Sequence, residues 1–158
     1  MHDITPCLWF DHQAEEAVNF YLPIFPNSRI TQIARYGKAW PGQEGSVMTI
    51  AFELDGRPFV ALNGGPVFMF NEAISFQVFC DTQERIDYFW DRLCDGGTES
   101  QCGWLKDKYG LSWQIVPRAL TAMMTDPDPA RVARMTEAMF KMTRLDIAGL
   151  RKAYDNPQ

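Results

Sequence analysis

Side chains able to bind a metal or attack a substrate are few in this 158-residue chain. There are two histidines, His2 and His12, and four cysteines, Cys7, Cys80, Cys94 and Cys102. No two cysteines stand in C-x-x-C spacing, which argues against a zinc ribbon or a thioredoxin-type redox pair. His2 lies next to the terminus and His12 at a predicted helix start, so both read as solvated surface groups. Cys102 and Trp104 flank Gly103 at the start of a predicted strand. Nucleophilic attack needs a thiolate, and so a nearby base or cation. No histidine is near Cys102 in sequence, so a buried structural thiol is the expectation. Trp104 can stack on a ligand or pack in the core. Glu15-Glu16 belongs to a helix surface, and Asp107-Lys108 to a turn before Tyr109-Gly110. No general acid–base pair stands out.

The elements that must position these groups come in two similar sets. Asp11-His12-Gln13 leads into Glu16-Ala17-Val18-Asn19-Phe20-Tyr21, and seventy residues later Asp81-Thr82-Gln83 leads into Glu84-Arg85-Ile86-Asp87-Tyr88-Phe89. Each follows an apolar, strand-like run, 4–10 and 74–80. So long a period is not a solenoid repeat; it predicts two similar modules with a shared concavity as the ligand site. In the first, Asp11 is the expected N-cap of a helix carrying Ala14, Val18, Tyr21 and Leu22, ended by Pro23 and Pro26. Strands follow over 29–36, 47–54 and 57–62, the last two joined at Asp55-Gly56. Residues 37–45 form an open loop. In the second, Asp81 and Glu84 suggest a capping box ahead of Ile86, Phe89, Trp90 and Leu93, with Gly96-Gly97 as the stop. Strands are expected over 98–102, 104–109 and 111–116. Both modules read β-α-β-β-β. Beyond Pro117 the pattern is helical, with Asp128-Pro129 and Asp146 as starts. Val132, Met135, Met139 and Met142 make a stripe that packs on the sheet or on a partner, or serves as a binding surface.

Composition narrows the class. A hydrophobic fraction of 46% with five Trp fits a packed globular protein, and a net charge of -5 disfavours nucleic acid. Residues 118–158 are mildly basic, with seven Lys or Arg against five Asp or Glu, as expected of a solvated helix surface. No signal peptide and no apolar run of membrane-spanning length is visible, so the expected location is cytoplasmic, without a membrane partner and with reduced cysteines.

Several segments resemble the vicinal oxygen chelate superfamily, which includes glyoxalase I, extradiol dioxygenases and bleomycin-resistance proteins. Within it the chain resembles the PhnB-like group, labelled 3-demethylubiquinone-9 3-methyltransferase domain proteins. The segments are 20–28 (FYLPIFPNS), Gly64-Gly65-Pro66, 72–76 (EAISF) and above all 103–117 (GWLKDKYGLSWQIVP). The resemblance implies an α+β fold: two βαβββ modules (1–66 and 67–117) making a cupped, mixed, mostly antiparallel sheet. A helical tail (118–158) packs on that domain or on a partner subunit. It also implies a homodimer, since open sheets leave edges that a second copy can cover.

Enzymes of that superfamily usually hold a divalent ion with His, Glu or Asp from both modules. By the resemblance those positions fall near Pro6, near Ala61 with Asn63 beside it, near Ala73 and on Gln114. None is His, Asp or Glu, which implies no metal and no other cofactor. Gln114 takes the slot of a ligand Glu and should point into the cup. By strand alternation Ser112 and Val116 share its face, and Ser75, Gln77 and Phe79 share one face of the preceding strand. The candidate ligand-binding residues are Gln114, Gln77, Ser75, Asn63, Trp104 and Cys102. Such a neutral, hydrogen-bonding set suits a small neutral or zwitterionic molecule; the other reading is that these residues satisfy one another. The competing functions are a metal-dependent lyase or dioxygenase, the methyl transfer of the family label, and an interaction protein using the Met stripe. No glycine-rich donor loop of a doubly wound methyltransferase is present.

Overall fold

A computed structural model describes residues 2–41 and 43–156. The chain divides between Phe70 and Asn71 into two compact units. The class is the expected α+β, with strands hydrogen-bonded as two four-stranded mixed sheets, one in each unit.

The first unit runs β1 (Cys7–Phe10), α1 (Ala14–Tyr21), β2 (Arg29–Arg35), β3 (Val47–Leu54) and β4 (Arg57–Asn63), in the sheet order β1-β4-β3-β2. β1 and β4 are parallel and the other pairs antiparallel. β1 is shorter than the apolar run 4–10 because Pro6 has no N–H for the ladder; its carbonyl still accepts from Val60 N–H. Asp55 and Gly56 both have positive φ, 48° and 75°, as a two-residue hairpin between right-twisted strands requires. One sheet face carries Leu8, Phe10, Ile50, Phe52, Phe59 and Ala61, all buried. α1 meets this sheet with Ala14, Ala17, Val18 and Tyr21, which recur at three- and four-residue spacing and are fully buried. Burying Val18 and Tyr21 contributes about 1.5–3 kcal/mol each.

The second unit runs β5 (Ser75–Cys80), α2 (Gln83–Leu93), β6 (Thr98–Glu99), β7 (Trp104–Lys106), β8 (Ser112–Pro117), α3 (Arg118–Met124), α4 (Pro129–Met139) and α5 (Ile147–Asp155). Its sheet repeats the first, in the order β5-β8-β7-β6 with β5 and β8 parallel. α2 starts at Thr82, whose hydroxyl accepts from Arg85 N–H; the expected Asp81–Glu84 capping box does not form. Ile86, Phe89, Trp90 and Leu93 are buried as the periodicity predicts.

Two strands are shorter than expected, for identifiable reasons. The stretch 98–102 keeps only two strand residues, because Cys102 and Gly103 both adopt positive φ, 60° and 81°. Their N–H groups leave the sheet and donate to Met142 and Thr143 in the tail. A Cβ on Gly103 would lie 2.8 Å from the Ile115 carbonyl, so only glycine fits. β7 stops at Lys106 because Asp107 organises a turn. Its carboxylate accepts from Tyr109 N–H, Leu111 N–H and the Trp113 indole N–H, while Asp107 is only 3% exposed.

The tail packs within the second unit. Leu120, Met123, Met135, Leu145 and Leu150 form one buried cluster with Val116 of β8, and Met139, Met142 and Tyr154 close its margin. Gln83 of α2 donates to the Leu145 carbonyl and accepts from Ile147 N–H, and Arg144 pairs with Asp87 and Asp91. Asp128 and Asp146 cap α4 and α5 as expected.

Asp107→Ala removes the carboxylate that accepts from Tyr109 N–H, Leu111 N–H and the Trp113 indole, two of these bonds being buried. The expected loss is at least about 3 kcal/mol of unfolding free energy in urea titrations; a loss under about 1 kcal/mol contradicts the role assigned to this carboxylate.

Candidate functional site

β8 separates two chemistries by its two-residue period. Trp113 and Ile115 are buried on the face that meets α2. Ser112 and Gln114 point to the opposite face. Gln114 lies between Gln77 of β5 and Trp104 of β7, and Ser112 between Ser75 and Lys106. The Gln77 amide donates to Gln114 Oε1 at 3.3 Å, and Gln114 Nε2 donates to Ser75 Oγ at 2.8 Å. Three predicted residues, Gln114, Gln77 and Ser75, thus form one directional ladder with Trp104 beside it. Gln77 is exposed, and Ser75, Gln114 and Trp104 are half-buried.

Two features of this face were not singled out from the sequence. Ser112 is 1% exposed and its hydroxyl has no hydrogen-bond partner. Strand alternation put it on this face, but the missing partner is a tertiary fact. Lys106, opposite Ser112, forms an ion pair with Glu72. The Lys106 hydrogen bond, and then a backbone N–H, hold the Glu72 carboxyl below its ordinary range. Glu72, alone by its sequence neighbours, is paired in space.

The other two predicted residues do not join the ladder. Asn63 shares the alternation of Phe59 and Ala61, so it points to the helix-covered side of the first sheet. Its Oδ1 accepts from Ala14 N–H at 2.8 Å and its Nδ2 donates to the Val47 carbonyl at 3.0 Å. Asn63 therefore does the capping expected of Asp11; the residue at the helix start is Gln13, whose side chain makes no cap. Asn63 also borders an open polar hollow of about 590 Å³ with Asp11, His12, Glu15, Arg35 and Tyr36. Cys102 sits in the left-handed turn before β7, and its thiol donates to the Met139 carbonyl at 3.7 Å. No imidazole occurs in the second unit. Burial pushes the Cys80 thiol up to about 11 and raises Cys7 and Cys94. These thiols are poor nucleophiles at neutral pH.

The register also tests the slots matched to metal ligands. Ala61 is fully buried on the covered face, and Pro6 is half-buried just ahead of β1. The outward residues are Val60 and Leu62 on β4, with Cys7 and Trp9 on β1. Ala73 is exposed ahead of β5. Among the described residues no group of three or more His, Cys, Asp or Glu is placed to hold a metal. A hard divalent ion needs several anionic or carbonyl oxygens. The ladder offers neutral amides and hydroxyls already bonded to one another, so the residues present do not fit such an ion.

The 3-demethylubiquinone-9 3-methyltransferase family model matches residues 2–116. The chain belongs to that family. A solved relative, a putative 3-demethylubiquinone-9 3-methyltransferase, PhnB protein, from Bacillus cereus, is 38% identical. The match covers 73% of this chain and 99% of that one, with a TM-score of 0.67. Two remoter structures share the fold. Protein PA1353 from Pseudomonas aeruginosa is 16% identical over 74% of this chain and 98% of its own, with a TM-score of 0.62. The fosfomycin resistance protein FosX from Listeria monocytogenes is 14% identical over 79% and 98%, with a TM-score of 0.55. No curated protein matches. The fold is thus that of the glyoxalase and bleomycin-resistance group. The family match ends just before α3, so the tail helices lie beyond it. The family's name describes methyl transfer, yet the strand-to-helix turns, 11–13 and 81–82, contain no glycine. The glycine-rich donor turn of doubly wound methyltransferases is not built here.

Removing the Asn63 amide deprives α1 of its side-chain cap. Asn63→Ala is expected to cost about 1–2 kcal/mol in urea titrations, and an unchanged midpoint contradicts the assignment.

Proposed function

We propose that this chain binds a small neutral or zwitterionic molecule on the face of its second sheet opposite α2, without a metal ion. The ladder of Gln77, Gln114 and Ser75 carries this reading. Three neutral hydrogen-bonding side chains stand side by side on a face that the unit's own helix α2 does not cover, with Trp104 next to them. Neutral amides recognise polar ligands by direction and shape, not by net charge. Native mass spectrometry of protein purified from cells is expected to show an added small-molecule mass. Gln114→Ala should lower the affinity for that molecule by about 1 kcal/mol or more, roughly fivefold, while changing stability by less than that. Equal occupancy in the variant refutes the reading.

The family name favours a second reading, methyl transfer. Saturable binding of S-adenosylmethionine in calorimetry, lost in Gln114→Ala, would decide for it.

We further infer that the chain forms a homodimer. Val67, Phe68 and Met69 are 72%, 61% and 88% exposed in one run, and a second copy would remove them from water. Sedimentation is expected to give twice the chain mass, and Phe68→Asp the single-chain mass; a monomeric wild type at high concentration ends this inference.

A further inference from the structure

The first unit contains an open polar hollow of about 590 Å³. The backbone of its walls is bonded within the walls. The Tyr36, Gly64 and Gly65 N–H groups donate to the Ser46, Phe10 and Asp11 carbonyls, and the Tyr36 hydroxyl donates to the Asn63 carbonyl. The Asn63 amide is spent on Ala14 N–H and the Val47 carbonyl. What the hollow still offers is side chains from two elements. Asp11 and Glu15, at the start of α1, bring carboxylates. Arg35, at the end of β2, and Gln43, in the loop that follows, bring donors. Arg35 gives one N–H to the Gly45 carbonyl at 3.1 Å and keeps the others. The Asp11 carboxylate has the exposed His12 imidazole beside it, at 3.4 Å. Among the described residues no ion pair joins Asp11 or Glu15 to Arg35, so acceptors and donors border one hollow without closing on each other.

We propose that this hollow binds an uncharged, polyhydroxylated ring, a sugar-type ligand. It does so independently of any ligand on the second sheet. Chemistry narrows the class by steps. Among the described residues no three His, Cys, Asp or Glu are placed to hold a metal. The two carboxylates oppose an anion and the guanidinium opposes a cation. Each of these charges is open to water, so neither selects an ion strongly. An apolar body would take donors and acceptors out of water without replacing their bonds. A hydroxyl both gives and takes at one atom. Between the two walls it donates to a carboxylate and accepts from the guanidinium or the Gln43 amide, and the bonds to charged groups are the stronger kind. Water does the same one molecule at a time. A ring with several hydroxyls at fixed angles replaces several waters together and has little conformational freedom to lose. The hollow is also of the usual size for small-molecule sites, roughly 300–1,000 Å³. Trp40 stands next to the lining residue Pro41 and is 58% exposed. An indole on the loop that borders the hollow suits the C–H face of such a ring.

The test titrates glucose, galactose, mannose, maltose and cellobiose into the full-length protein while the Gln43 side-chain and Trp40 indole resonances are followed. Cyclohexanol, a ring with a single hydroxyl, is the control. At least one sugar is expected to shift both resonances saturably, and cyclohexanol neither. Glu15→Gln and Arg35→Gln should each weaken that sugar at least about fivefold, the worth of one hydrogen bond. Both side chains are exposed, so the urea midpoint should stay close to that of the natural chain. Trp40→Ala, read at Gln43, should weaken the sugar as well. Glucosamine and glucuronate put one positive or one negative charge on the glucose ring, and each is expected to bind no more than about tenfold more tightly than glucose. A larger preference for either charged ring overturns the uncharged class. The site is refuted if none of the sugars shifts these resonances, or if the Glu15→Gln/Arg35→Gln double variant keeps full affinity.

Discussion

The register of β8 is the constraint on which the second unit depends. This strand pairs in parallel with β5 and antiparallel with β7, so its alternation is imposed on both neighbours. One residue of slip would turn Trp113 and Ile115 out to solvent and drive Gln114 against α2. The cost of exposing those two buried side chains, several kcal/mol by area, forbids it. The Trp113 indole adds a polar lock by donating to Asp107, whose carboxylate also fixes the turn that returns the chain from β7 to β8. Packing on one face thus aims Ser112 and Gln114 at the other.

Distant amides finish what local sequence leaves open. Asn63, at the end of β4, supplies the acceptor for the first N–H of α1. Gln83, at the start of α2, does the same for the first N–H of α5 and also bonds the Leu145 carbonyl. In both cases an orphan donor of a helix end is met by a side chain far along the chain, so the helix can form fully only once its unit has assembled. The left-handed pair Cys102-Gly103 works in the same sense. It takes two N–H groups out of the sheet and gives them to the tail, trading strand length for a fixed tail position. The Met stripe, expected to pack on the sheet or a partner rather than to serve as a binding surface, is largely consumed by that docking, since Met135 is fully buried and Met139 and Met142 partly so.

The chemistry the second sheet can do depends on its side-chain electrostatics more than on its fold. A superfamily fold hosts many chemistries, and the side chains at the site decide between them. Here the face opposite α2 is neutral along the ladder and doubly charged at one edge, where Glu72 and Lys106 cancel. Such a surface offers few anionic oxygens to a hard cation.

The sequence alone determined the modules and their faces. The repeat around Asp11 and Asp81, the Asp55-Gly56 hairpin, the caps Asp128 and Asp146, and the sharing of one face by Ser75 and Gln77 and of another by Ser112 and Gln114 are all local or periodic signals, legible because strand and helix periods are fixed by backbone geometry. Tertiary structure alone decided the rest. It bonded Asn63 to the N-terminus of α1 and set the Cys102 thiol against the tail. It placed Ala61 on the covered face, paired Glu72 with Lys106 and left Ser112 without a partner. Each of these depends on which residue stands across a strand pair or beside a distant segment. Register and long-range hydrogen bonds settle that, and a linear pattern of residue types does not encode them.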